Sequence, residues 1–116
     1  MNSEEKELQQ PKINVFISVP MHDRTKQQIE DELTSHINKV YDFVQQNFNK
    51  NCRILESLLD NADALTPMQC LAESIKIMSD ADLVVMYPDW QYAKGCIIEH
   101  SVATLYGKPI LYINRG

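Results

Sequence analysis

At 116 residues the chain is long enough for one compact domain and too short for two. An apolar content of 44% beside 23% charged residues is that of a globular protein, and no apolar run is long enough to span a bilayer. A formal charge of -5 argues against a general electrostatic grip on a nucleic acid polymer, whose phosphates need clustered Lys and Arg, although a small anion can still find a local positive site.

The polar stretch MNSEEKELQQP, residues 1–11, reads as a flexible N-terminal leader, so the single domain is expected over 12–116. No signal-peptide pattern opens the chain, and the expected setting is soluble and cytoplasmic, without a membrane partner. INVFISVP (13–20) is a short β-branched run stopped by proline, a first buried strand. Thr25 with Gln28 forms a capping box that opens one long helix, along which Ile29, Leu33, Ile37, Val40, Tyr41, Val44 and Phe48 lay a single apolar stripe. CRILESLL (52–59) is a second, less sharply bounded strand, followed by an Asn/Asp-rich loop at 60–63.

Thr66, Pro67 and Gln69 start a second helix, with Leu71, Ile75 and Met78 on its buried side. ADLVVMYP (81–88) is the continuous apolar run expected of a central parallel strand. The spacing of Ile98, Val102 and Leu105 predicts a third helix from Lys94 to Tyr106, ended by Gly107 and Pro109, and KPILYIN (108–114) is the fourth strand. Strand and helix alternate throughout, which predicts a small doubly wound, Rossmann/flavodoxin-like α/β sandwich on a four-stranded parallel sheet.

Ligands of such sheets bind beyond the carboxyl ends of the strands, where strand order reverses. That singles out the loop after the first strand, with Ser18, Pro20, Met21, His22, Asp23 and Arg24, and the stretch DWQYAKGCIIEH (89–100) after the third. Gly95 leaves backbone amides at the third helix open to an anion, and Lys94 adds charge. Glu99 lies one turn further in, with its side chain leaning back toward the crevice. Two readings stand for it: a carboxylate that attacks or stabilises an electron-poor sugar carbon, and an acid that merely complements the helix dipole.

The neighbouring residues leave similar pairs of readings open. Trp90 and Tyr92 either stack on a ring or cap the strand ends; Asp89 either accepts sugar hydroxyls or forms a turn; Arg24 either holds a phosphate or is a solvated loop arginine. His100 projects about 100 degrees from Glu99 around the helix and is not expected to share its proton. Cys52, Cys70 and Cys96 show no disulfide or zinc spacing and read as reduced thiols, and no metal or cofactor is expected.

FISVPM (16–21), SIKIMSDADLVVM (74–86) and the pattern W-x-x-x-x-G-C-x-x-E-H-x-x-A-x-x-Y-G-K (90–108) resemble the nucleoside 2-deoxyribosyltransferase-like superfamily, in particular its small bacterial and phage branch. The resemblance extends over residues 13–114. It implies a nucleoside or nucleotide ligand, with Glu99 as the nucleophile that releases the base and passes the sugar to another base or to water. From the loop positions and the resemblance together, Ser18, Pro20, Met21, Arg24, Trp90, Lys94, Gly95 and Cys96 are expected to line the ligand site, and Asp89 or Asp23 to supply a further acid.

Two positions depart from the pattern. Ser74 and Ala93 stand where active members carry an aspartate, and an aspartate or serine, respectively. The alternative expectation is therefore a binding module that keeps the pocket without the chemistry. Two open sheet edges, and the resemblance, also imply a homo-oligomer.

Overall fold

A computed structural model describes residues 12–56 and 62–115. The expected leader lies outside the described residues, as do residues 57–61, which include the end of the expected second strand and the start of the loop after it.

Alternation along the first strand sorts the molecule into two layers. In β1 (Lys12–Ser18), Ile13, Val15 and Ile17 join one buried cluster and Phe16 the other, because successive strand side chains point to opposite faces. β3 (Leu83–Met86) divides in the same way, Leu83 and Val85 to the first cluster and Val84 and Met86 to the second. Both strands are covered on both faces, which is why they read as unbroken apolar runs. Each Val or Leu so buried contributes about 1.5–3 kcal/mol.

β2 (Asn51–Leu55) and β4 (Ile110–Tyr112) complete a four-stranded, all-parallel sheet in the order β2-β1-β3-β4. α1 (Lys26–Ser35) and α2 (Ile37–Phe48) pack on one face through Ile29, Val40 and Val44. α3 (Pro67–Met78) and α4 (Lys94–Leu105) pack on the other through Met78, Cys96 and Ala103. The topology explains this division. The chain steps one way from β1 to β2 and the other way to β3 and β4, and crossovers of a single hand then put their helices on opposite faces. The architecture is the small doubly wound sandwich predicted from the strand–helix alternation.

Both capping boxes are present. Thr25 Oγ1 accepts from Gln28 N–H at 3.1 Å while Gln28 Oε1 accepts from Thr25 N–H at 2.8 Å, and Thr66 with Gln69 repeats the pair at 3.2 and 2.8 Å. The helix expected to run unbroken to Phe48 is instead two helices, parted at His36 (φ -116, ψ 2). The cause is tertiary. Tyr87, fully buried, donates its hydroxyl at 2.7 Å to Leu33 O, the carbonyl that would accept Ile37 N–H in a continuous helix, and the His36 ring sits edge-on to Tyr87 at 5.2 Å.

Two residues of the resemblance motifs have architectural contacts. Asp82 exchanges backbone and side-chain bonds with Asn14, accepting its N–H at Oδ2 (2.9 Å) and donating N–H to its carbonyl (2.7 Å), which aligns β3 against β1. Lys108 Nζ donates to Ser79 O and Ala81 O at 3.2 and 2.8 Å, closing the turn that follows α3.

α4 departs furthest from its apolar periodicity. Of the residues whose spacing predicts the helix, Val102 packs against the α3/α4 core, whereas Ile98 is 42% and Leu105 82% exposed. Cys96, Glu99 and Ala103 face inward instead. Cys96 and Ala103 are small enough for the helix to approach the sheet closely, and Glu99 between them finds a hydrogen-bond partner there.

Candidate functional site

Strand order reverses between β1 and β3, so the segments after those strands, 19–25 and 87–93, border the crevice. Ser18, the last residue of β1, points to the α3/α4 face by the same alternation that buries Phe16. Its Oγ donates to Glu99 Oε1 at 2.8 Å, joining residues 81 positions apart. Ser18 is 1% and Glu99 7% exposed. Among the described residues the second carboxylate oxygen has no hydrogen bond.

Burial dominates the electrostatics. Desolvation pushes the Glu99 carboxyl up to about 7, opposed by the Ser18 hydrogen bond, which favours the ionised form. Cys96, one turn earlier, is pushed up to about 11, first by burial, with the Glu99 charge adding to the rise and Ser18 opposing it. The thiol is therefore neutral at pH 7, and the Glu99 carboxyl takes up a proton far more readily than an ordinary carboxylate. Ser18, Cys96 and Glu99 form one buried polar group.

At the start of α4, Ala93 occupies the N-cap position in extended geometry (φ -117, ψ 120) and offers no side-chain cap. The first helical amides therefore lack the cap that Thr25 and Thr66 give their helices. At Gly95 nothing lies within 4 Å of where a Cβ would sit. Lys94 is exposed beside it. Glu99 thus sits one turn below an open, uncapped helix start.

The other expected site residues have different engagements. Arg24 folds back on its own loop, donating from Nη1 to Pro20 O at 2.9 Å, and Met21 packs on the α1/α2 core. Trp90 is half-buried against the α3/α4 core and stacks on His100 at 4.3 Å, while His100 Nε2 and the Tyr112 hydroxyl share a hydrogen bond of 2.7 Å. Asp89, in a left-handed conformation (φ 68), accepts from Arg115 Nε and Nη2 at 3.2 and 2.9 Å. Arg115 also lies 3.6 Å from Glu32 on α1, whose Oε1 is buried without a hydrogen bond.

An open hollow of about 400 Å³, lined by Asp23, Arg24, Gln28, Asp31, Glu32 and Ser35, runs along α1; Glu99 does not line it. Among the described residues no cluster of three or more His, Cys, Asp or Glu side chains is placed to hold a metal ion, and no helix is long and apolar enough to cross a membrane.

Loop position alone puts Ser18 and Glu99 at one crevice and does not pair them. Arg115, Glu32 and Tyr112 carried no local signal at all. Their partners lie tens of residues away, and only the fold brings them together.

Fold and site together define a small doubly wound α/β domain whose switch point carries a buried, hydroxyl-bound carboxylate. The chain belongs to the family described as a domain of unknown function (DUF4406), which matches residues 37–112. That span includes Cys96 and Glu99 and leaves out β1 with Ser18. No curated protein and no solved structure matches the chain.

Proposed function

We propose that the chain binds a nucleoside or nucleotide at the crevice between the β1 and β3 loops and cleaves its N-glycosidic bond with Glu99 as nucleophile. The observation that carries this reading is the Glu99 carboxylate: buried at the switch point, fixed through one oxygen by Ser18, with the other oxygen unbonded among the described residues. The resemblance of segments 16–21, 74–86 and 90–108 to the nucleoside 2-deoxyribosyltransferase-like superfamily supplies the reaction. A Glu99 oxygen attacks the anomeric carbon; the bond to the base nitrogen breaks, and the base leaves with the electron pair and takes up a proton. Water or a second base then displaces the carboxylate from the sugar. Only the ionised carboxyl attacks, so turnover rises with pH through about 7.

A second reading, a binding module without turnover, is favoured by the missing acids. Ser74 and Ala93 carry no carboxylate, and Asp89 is held by Arg115. One experiment separates the two. Wild type and Glu99→Gln are incubated with a panel of nucleosides, nucleoside monophosphates and NAD-type dinucleotides, with base release and thermal shift both read. Release by wild type alone supports the enzyme; a thermal shift in both proteins without release supports the module. Neither release nor shift across the panel would overturn both.

A further inference from the structure

We propose that α1 is a lid on the crevice, hinged at His36 and latched by the Tyr87 hydroxyl. Two donors compete for the Leu33 carbonyl: Tyr87 breaks the helix and latches the lid, whereas Ile37 N–H joins α1 and α2 into one helix and releases it. The structure shows the latched state. This inference is independent of what the crevice binds.

The hinge rests on a conflict between sequence and packing. Ile29, Leu33, Ile37, Val40 and Val44 carry one helical stripe through the break, and neither Pro nor Gly stands between Lys26 and Phe48. The local sequence therefore favours a continuous helix. What opens it is a side chain inserted into the hydrogen-bond ladder: Tyr87 donates to Leu33 O at 2.7 Å, and His36 leaves the helical region at φ -116 and ψ 2. The latched packing is also incompletely satisfied. Among the described residues, Glu32 Oε1 and His36 Nδ1, on either side of Leu33, are buried without a hydrogen bond.

Anchoring identifies the moving part. α2 is fixed to the core by two buried residues, Val40 and Val44, whereas Ile29 alone is buried on α1. The more lightly held element is the one that swings.

Position connects the hinge to the crevice. α1 leaves the 19–25 wall, and Tyr87 is the first residue of the 87–93 wall, so the Leu33–Tyr87 bond ties the two walls together. Arg115 adds a second tie between the same parts, reaching Asp89 at 2.9 Å and Glu32 at 3.6 Å. A ligand that spreads the walls draws the hydroxyl off Leu33 O. Ile37 N–H then takes that carbonyl, which would otherwise be left unsatisfied. The released state is thus the one that admits a ligand, and binding shifts the population toward it.

Nuclear magnetic resonance of wild type and Tyr87→Phe tests the proposal, with circular dichroism as the check on folding. The variant keeps the ring and removes only the latch. Its Ile37 amide is expected to exchange about tenfold more slowly than in wild type, and the His36 Cα shift to move to the helical range. In wild type, residues 33–37 and Tyr87 are expected to share one microsecond-to-millisecond exchange process that the variant lacks. An Ile37 amide that exchanges as fast in Tyr87→Phe as in wild type, with the His36 shift unmoved, overturns the proposal. If the variant does not fold, wild type alone decides: relaxation dispersion that is flat at residues 33–37 and Tyr87 overturns it as well.

Discussion

Folding carries the Glu99 carboxyl from water into a site where it is 7% exposed, and its pKa from 4.5 to about 7. The folded state then holds this proton more tightly than the unfolded chain. The stabilising contribution is fully present below about 4.5 and is lost as pH rises through about 7. A change of that size corresponds to about 3 kcal/mol for so buried a group. Glu99→Gln keeps an acceptor for Ser18 and removes the ionisation, so urea midpoints of the two proteins are expected to keep a fixed offset below about pH 4.5, to diverge from there to about pH 7 in favour of the variant, and to keep that wider gap above it. Midpoints that run parallel across the range would show that Glu99 is not desolvated. Helix geometry alone marked Glu99 as a crevice residue in the sequence. Its burial, and Ser18 as its donor, were not legible, because they depend on β1 and α4 meeting across 81 positions.

Local signals located element starts far better than they located faces. Thr25 with Gln28 and Thr66 with Gln69 are short-range chemistry and were readable as such. The break at His36 was not, since the apolar stripe continues through it and the bond that opens the helix comes from Tyr87. On α4, periodicity picked Ile98 and Leu105, which lie outside, because the inward face holds two small residues and an acid. The start of that helix makes a second prediction. Ala93 already has the extended geometry of an N-cap, φ -117 and ψ 120, so Ala93→Ser supplies an acceptor to the free amides with little rearrangement. A gain of about 1 kcal/mol is expected, read as a higher thermal midpoint. An unchanged midpoint would mean that those amides already have a partner. In the proposed glycosidase reading the same hydroxyl stands where active members of the superfamily that the chain resembles carry Asp or Ser, and base release is expected to rise with it.

At the scale of the molecule, three distant segments meet at one arginine. Arg115 follows β4, Asp89 lies in the connection from β3 to α4, and Glu32 belongs to α1; the guanidinium reaches Asp89 at 2.9 Å and Glu32 at 3.6 Å. Asp89 sits in the left-handed region, φ 68, where non-glycine residues are strained. The ion pair therefore holds a strained corner of the segment that carries Trp90 and leads into the uncapped start of α4. Arg115 is more than half exposed, so the pair is open to screening by salt. Arg115→Ala is expected to speed hydrogen exchange at the Tyr92 and Ala93 amides, whose bonds to Asp89 O and Trp90 O close this turn. Exchange in the β3 strand amides should stay the same, and raising salt on wild type should move Tyr92 and Ala93 in the same direction. If those two amides exchange no faster in the variant, the turn is held by its own backbone bonds, and the crevice wall does not depend on the segment after β4.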